Sequence, residues 1–310
     1  MRLLLAGAMA LAFALPARAQ APITLVVNFV AGGPSDLMGR LLAPELSAAL
    51  GSQVVIKNSA GAAGGIGAAE VARARPDGQT LLLSPIGAMA IQPHFRSDLP
   101  YRPGDFAPIC QVADTPVVVM SAPDSPIRDL PILLSRAREA RGAFNFGSTG
   151  PGSLPHIATV ALARAAGVEM THIPFRGNAE AVTALLRGDV SIFADQPGTL
   201  RGNNLQAVAI LSEQRVAEFP HTPTLREQGL DIVYSIWSGI FAPAGTPPEF
   251  LARVEAACRR ALQSPAVIAG FERLATPIVF RGQRDFAAFW ASELEKFQGV
   301  VRAAGLRPGD

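Results

Sequence analysis

Two short stretches carry the residue types from which chemistry could be built. One is Gly32-Gly33-Pro34-Ser35-Asp36, which follows the apolar run Ile23-Thr24-Leu25-Val26-Val27 through Asn28-Phe29-Val30-Ala31. The other is Ser148-Thr149-Gly150-Pro151-Gly152-Ser153, directly after Phe144-Asn145-Phe146-Gly147. Each reads as a strand that breaks at glycines and starts a helix. Glycine lets bare backbone approach a ligand, and the first N–H groups of a helix have no acceptor inside it. Those donors, at the positive end of the helix dipole, favour an anion such as a carboxylate or phosphate. A single turn of this kind is ordinary in an α/β protein. Two with the same composition in separate halves of the chain make a pair worth following.

Hydrolytic chemistry is the competing reading of the second stretch. Ser153 and His156 are three residues apart, so a helix would make them neighbours. No G-x-S-x-G elbow surrounds Ser153, however, and a serine just ahead of Pro155 is placed to cap its own helix. The acidic residues are scattered and offer no carboxylate pair. His94, His156, His172 and His221 have no metal-like spacing. Gly61-Ala62-Ala63-Gly64-Gly65-Ile66-Gly67 lacks both the dinucleotide spacing and the lysine of a phosphate-gripping loop, so no cofactor is expected.

The elements that must position these stretches alternate between short strands and helices. A helix over about 35–50 carries Leu37, Leu41, Leu42, Leu46 and Leu50 near one stripe, and Gly51 ends it. Val54-Val55-Ile56 and Thr80 to Ser84 are further strands, the latter ending at Ser84-Pro85-Ile86-Gly87-Ala88. Open α/β sheets gather ligand groups at such carboxyl ends. Ala107 to Val112 and Pro116 to Met120 are apolar runs with no helix between them, read as strands crossing toward a second lobe, and Trp237 to Pro243 is placed to cross back. In the second half, helices are expected over Ile132 to Arg141, after Pro155 and over Ala179 to Leu186. Thr171 to Gly177 is expected to be a strand and turn, Asp189 to Ala194 a strand that ends at Asp195-Gln196-Pro197, and Leu205 to Leu211 a further strand. Phe286, Phe289, Trp290 and Phe297 form an aromatic stripe on a last helix, the signature of a core face.

The chain start and composition set the compartment. Arg2, the apolar run Leu3 to Leu15 and Ala17-Arg18-Ala19 have the layout of a secretory signal peptide, assigned here to residues 1–21. The whole chain has 27 basic and 25 acidic residues, and removal of residues 1–19 takes away Arg2 and Arg18, leaving a formal charge of zero. That balance gives no reason to expect nucleic acid or an anionic membrane as partner. About 290 residues suit two lobes better than one core. Cys110 and Cys258 are expected to be lone buried thiols, since their spacing fits no short disulfide framework, although an oxidising compartment would permit a pair.

In order along the chain, several motifs together resemble the receptors of tripartite tricarboxylate transporters, the TctC or Bug family. They are Phe29-Val30-Ala31-Gly32-Gly33 with Asp36, Asn58 with Gly61 to Gly67, Pro76-Asp77-Gly78 with Thr80-Leu81-Leu82, Gly147-Ser148 to His156, and Trp237 with Ala242-Pro243-Ala244-Gly245-Thr246-Pro247. Asn28 stands where relatives usually have proline, and Lys57, Ser59 and Ala60 depart from the usual residues around Asn58. The resemblance implies an α/β, periplasmic-binding-protein-like (type II) Venus flytrap of two lobes joined by crossing strands. Residues 22–121 and 240–310 would form one lobe and 122–239 the other. It implies a monomeric, non-catalytic periplasmic receptor that delivers a small carboxylate to membrane permease subunits. A ligand-presenting sensor and a secreted serine hydrolase are the alternatives. By the same resemblance the carboxylate would be held by Phe29, Ala31, Gly32, Gly33, Pro34, Ser35 and Asp36 on one lobe and by Ser148, Thr149, Gly152 and Ser153 on the other. Ser84, Gly87, Ala88, Phe175 and Asp195 would face the same cleft.

Overall fold

The computed structural model describes residues 21–304, so the expected signal peptide, apart from Ala21, lies outside the described residues. The first β/α units are β1 (Ile23–Val27), α1 (Pro34–Leu50), β2 (Val54–Asn58), α2 (Gly65–Ala72) and β3 (Thr80–Pro85). β1 pairs in parallel with β2 and β3 on either side, which is why its residues are apolar on both faces. A wide turn at Gly87–Ile91 leads into α3 (Gln92–Phe95), after which the long strand β4 (Phe106–Pro116) runs to the edge of the first half.

The second half contains β5 (Val118–Ser121), α4 (Leu130–Ala140), β6 (Asn145–Ser148), α5 (Leu154–Ala165), β7 (Thr171–Pro174), α6 (Asn178–Arg187), β8 (Ile192–Asp195), α7 (Pro197–Gly202) and β9 (Gln206–Ile210). The chain then returns through β10 (Ser235–Pro243) and closes with α8 (Pro248–Ala261), α9 (Pro265–Arg273), β11 (Ile278–Arg281) and α10 (Gln283–Ala304). The two sheets have the orders β11-β4-β10-β3-β1-β2 and β7-β6-β8-β5-β9. Each has a parallel part, built from β/α units, and an antiparallel part, built from the segments that pass between lobes.

The crossing is short and hydrogen-bonded. β4 ends at Pro116 opposite Ser235, and only Val117 separates it from β5 in the other sheet. The Leu211 N–H donates to the Val117 carbonyl at 2.8 Å, and the Tyr234 N–H donates to the Leu211 carbonyl at 2.8 Å. Sheet membership therefore divides the chain earlier than the boundaries expected at 121 and 240. Val118–Ser121 pairs within the second sheet and Ser235–Gly239 within the first.

One cluster of buried apolar side chains runs from Val26 and Leu82 of the first sheet, through Phe286, Trp290 and Phe297 of α10, to Leu154, Ile157 and Leu162 of α5. The last helix thus straddles both lobes. Its expected aromatic stripe is core: Trp290 Nε1 donates to the Met89 carbonyl at 2.8 Å, and Trp237 Nε1 on β10 donates to Glu293 Oε2 at 3.0 Å. Gly239 sits against the Phe286 ring so closely that a Cβ would lie 2.2 Å from it.

Two expectations need correction. Leu37 is 37% exposed, because the buried face of α1 is centred on Met38, Leu42, Leu46 and Leu50, one residue round the helix. Cys110 on β4 and Cys258 on α8 are disulfide-bonded, with Cα atoms 6.8 Å apart. Their sequence separation of 148 hides a proximity created when α8 packs on the face of the first sheet away from α10.

Candidate ligand-binding cleft

The starts of α1, α5 and α6 converge on one cavity of about 60 Å³ between the sheets. From the first lobe it is lined by Phe29, Val30, Gly33, Pro34, Ser35 and Gly87. From the second it is lined by Thr149, Ser153, Asn178, Asp195 and Gln196. Ile236, on the returning strand, also lines it. One water needs about 10–15 Å³ of such space, so the cavity suits a handful of non-hydrogen atoms.

The first loop is shaped by Asp36. Its Oδ2 accepts from the Gly32 N–H at 2.8 Å and from Arg40 Nε at 2.8 Å, and its Oδ1 accepts from Asn58 Nδ2 at 3.0 Å. Burial opposes its ionisation, but the bonds from Arg40, Gly32 and Asn58 outweigh burial and hold the carboxyl below its ordinary value of 3.8. Asn58 Nδ2 also donates to the Phe29 carbonyl at 3.1 Å. Asp36 is therefore a clamp that fixes the turn, and the groups it presents to the cavity are Gly33, Pro34 and Ser35. Gly33 occupies the N-cap of α1 with no side-chain cap bond, and Pro34 has no N–H to satisfy.

In the second lobe Ser148 plays the shaping part. Its Oγ lies 2.6 Å from His172 Nε2 and accepts from the Gly150 N–H at 3.1 Å. The Gly152 N–H donates to His156 Nδ1 at 3.1 Å. His156 and His172 stack with ring centroids 3.9 Å apart, and Phe146 covers His172 at 5.1 Å. Burial pushes the His172 imidazole down to about 4 from its ordinary 6.5, so it is neutral at pH 7.

Ser153 departs from its expected role. It stands at the N-cap of α5 but makes no side-chain cap bond, and its Oγ, in a residue only 3% exposed, has no hydrogen-bond partner. That hydroxyl faces neither a base nor its own helix. Ser153 and His156 do not pair, because His156 Nδ1 is occupied by the Gly152 N–H and the Ser153 hydroxyl has no partner.

Asp195 is the single ionisable residue among those lining the cavity. Burial pushes its carboxyl up to about 6, against hydrogen bonds from Thr199, the Gln196 N–H and Asn178 that favour the charged form. Thr199 Oγ1 donates to its Oδ2 at 2.7 Å, and Asn178 Nδ2 donates to the same oxygen.

Of the expected site residues, Phe29, Gly33, Pro34, Ser35, Gly87, Thr149, Ser153 and Asp195 come together in the cavity. Ala31 and Gly32 are exposed and do not line it. Asp36 and Ser148 are spent on loop shape. Ser84 is spent inside the first lobe, its Oγ accepting from Asn28 Nδ2 at 2.9 Å and donating to the Pro85 carbonyl at 2.9 Å. Ala88 is core, its carbonyl accepting from the Tyr101 hydroxyl at 2.8 Å. Gly152 packs against Phe95 and Gln92 instead of a ligand. Phe175 lines an adjoining, more open recess of about 580 Å³ together with Phe29, Val30 and Thr149. Asn178, Gln196 and Ile236 were missed. The first two directly follow Gly177 and Asp195, and a helix start placed just after a strand end is the signal that could have flagged them.

Among the described residues, no group of three or more His, Cys, Asp or Glu could hold a metal, and no helix is long and apolar enough to cross a membrane. Comparison with known proteins agrees with this geometry. The family "Tripartite tricarboxylate transporter family receptor" matches residues 38–306. Protein BugT of Bordetella pertussis is 35% identical over 94% of this chain and 91% of its own length. MatC from Rhodopseudomonas palustris, solved with bound malate, superposes with a TM-score of 0.84 at 31% identity, covering 91% of this chain and 99% of MatC. Rpa4515 of R. palustris, solved with adipate, gives a TM-score of 0.87 at 26% identity, with coverages of 93% and 98%. These relatives are solute-binding receptors and not enzymes, and the chain belongs to the TctC, or Bug, family of tripartite tricarboxylate transporter receptors.

Proposed function

We propose that this chain is an exported receptor that closes its two lobes on a small organic carboxylate and delivers it to the permease subunits of a tripartite tricarboxylate-type transporter. The observation that carries the reading is the Ser153 hydroxyl, buried without a partner in the same cavity as the start of α1. A buried polar group left unsatisfied costs about 1–3 kcal/mol, so it is kept where a ligand completes it. The wall opposite supplies the N–H and hydroxyl of Ser35 at a helix start, where an anion is favoured.

No lysine or arginine lines the cavity. An acid anion would be held by neutral dipoles and avoid the desolvation penalty of a buried ion pair, which leaves release to the permease inexpensive. Only the shut form brings both walls onto one ligand, so binding shifts the population toward it. The malate bound by MatC and the adipate bound by Rpa4515 are both small carboxylates, which supports this reading. The leader-like residues 1–21 support export to the periplasm.

Titration calorimetry of the purified chain against short mono-, di- and tricarboxylates tests the proposal. Saturable binding of at least one acid is expected, and failure of every acid to bind or to raise the melting temperature would overturn it.

A further inference from the structure

The walls of the cavity differ in what they offer a ligand. The first-lobe wall presents the helix start at Gly33, Pro34 and Ser35 and no ionisable group. The second-lobe wall presents the carboxylate of Asp195, 4% exposed, beside the unpartnered hydroxyl of Ser153. A carboxylate has about four acceptor positions. Asn178 and Thr199 both donate to Oδ2, and the Gln196 N–H supplies one further bond, so Asp195 keeps acceptor capacity to spare. Two carboxylates facing each other in one cavity repel, and a buried acceptor is satisfied only by a donor. A plain acid offers none.

Resting on the receptor reading above, we infer that the ligand is a short acid bearing a hydroxyl or ammonium group close to its carboxylate, with the carboxylate at the start of α1 and the donor on Asp195. Ser153, which can both donate and accept, bridges the two ends. A donor on the ligand adds a bond to the spare acceptor position of Asp195 and offsets the repulsion between the two carboxylates, whereas the analogue lacking it does neither. Burial that holds the Asp195 carboxyl near 6 still leaves it mostly ionised at pH 8, where its acceptor role is fully expressed.

Calorimetry at pH 8 on matched pairs reads this directly: lactate and alanine against propionate, malate and aspartate against succinate. At least one hydroxy or amino member is expected to bind tenfold or more tightly than its plain partner, and which member wins separates hydroxyl from ammonium. In Asp195→Asn that ratio should fall below about threefold. Equal affinities within every pair for the wild type would overturn the inference while leaving the receptor reading standing, and no acid binding at all would overturn both. The wild-type ratios alone decide the matter should Asp195→Asn not fold. An unchanged ratio in a folded Asp195→Asn protein would also overturn it.

Discussion

Gln92 and Pro151 meet across the cleft: Gln92 Nε2, on α3 of the first lobe, donates to the Pro151 carbonyl of the second-lobe loop at 2.9 Å. The neighbouring Gly152 makes this approach possible. Its φ is +71°, and a Cβ there would lie 2.7 Å from Phe95 and 2.8 Å from Gln92 Nε2. The loop that carries Thr149 and Ser153 to the cavity therefore seats itself on the first lobe only because residue 152 has no side chain. Gly152→Ala adds left-handed backbone strain and a clash on the closing surface, each worth about 1–3 kcal/mol. Ligand affinity is expected to fall tenfold or more, with a larger radius of gyration by small-angle scattering in the presence of ligand. Wild-type affinity in the variant would show that this contact has no part in closure.

Ser153→Ala removes a buried hydroxyl on a cavity-lining residue that nothing in the protein satisfies. Because the Oγ caps no helix, the change should leave the melting temperature of the free protein within a degree or two or raise it. It should weaken carboxylate binding about tenfold or more, the usual worth of a hydrogen bond to a charged group. Melting curves with and without ligand check both parts. A loss of stability without a loss of affinity would return Ser153 to a purely structural role.

Local chemistry made much of this architecture readable, and the limits fall at particular residues. β1 and α1 follow from five residues rich in β-branched side chains, a glycine break and a helical stripe, all of them short-range signals. The two loops were recognisable because glycine and hydroxyl residues cluster after strands. Which of their side chains face the cavity was not readable. Asp36 and Ser148 have the same polarity as Ser35 and Ser153, yet they turn inward to hold Gly32, Asn58, Gly150 and His172. That choice depends on partners 2 to 24 residues away, such as the 24 residues between Ser148 and His172. Ile236 reaches the cavity only because β10 returns antiparallel to β3 and β4, and the cysteine pair depends on the same long-range return.

The Cys110–Cys258 bond joins β4 to α8 within an apolar cluster that also contains Leu25, Leu81 and Ile240 and is separate from the residues lining the cleft. A crosslink over 148 residues removes a large loop from the unfolded ensemble, a stabilisation typically of about 2–4 kcal/mol. The double variant Cys110→Ala/Cys258→Ala should lower unfolding stability in urea by that order and change ligand affinity less than about twofold. A marked affinity loss at unchanged stability would contradict this division between scaffold and site.

Acid sensitivity should come from two second-lobe groups that act in opposite directions. The folded protein holds His172 neutral down to about pH 4, whereas the unfolded chain protonates it near its ordinary 6.5. Acidification through that window therefore loads protons on the unfolded state and destabilises the fold. Asp195 is the reverse: the folded protein takes up its proton near 6 and the unfolded chain near 3.8. Acidification from about 6 to 3.8 then favours the fold, and stability from this group is lost as pH rises through 6. The windows overlap, so the two contributions offset one another between about pH 6 and 4 in the wild type. Asp195→Asn should make the melting temperature fall more steeply than wild type over that range. His172→Phe, which keeps a ring against His156, should make it fall less steeply or rise. Melting temperatures at half-unit pH steps check the pair, and parallel curves for all three proteins would mean that neither group titrates differently on folding.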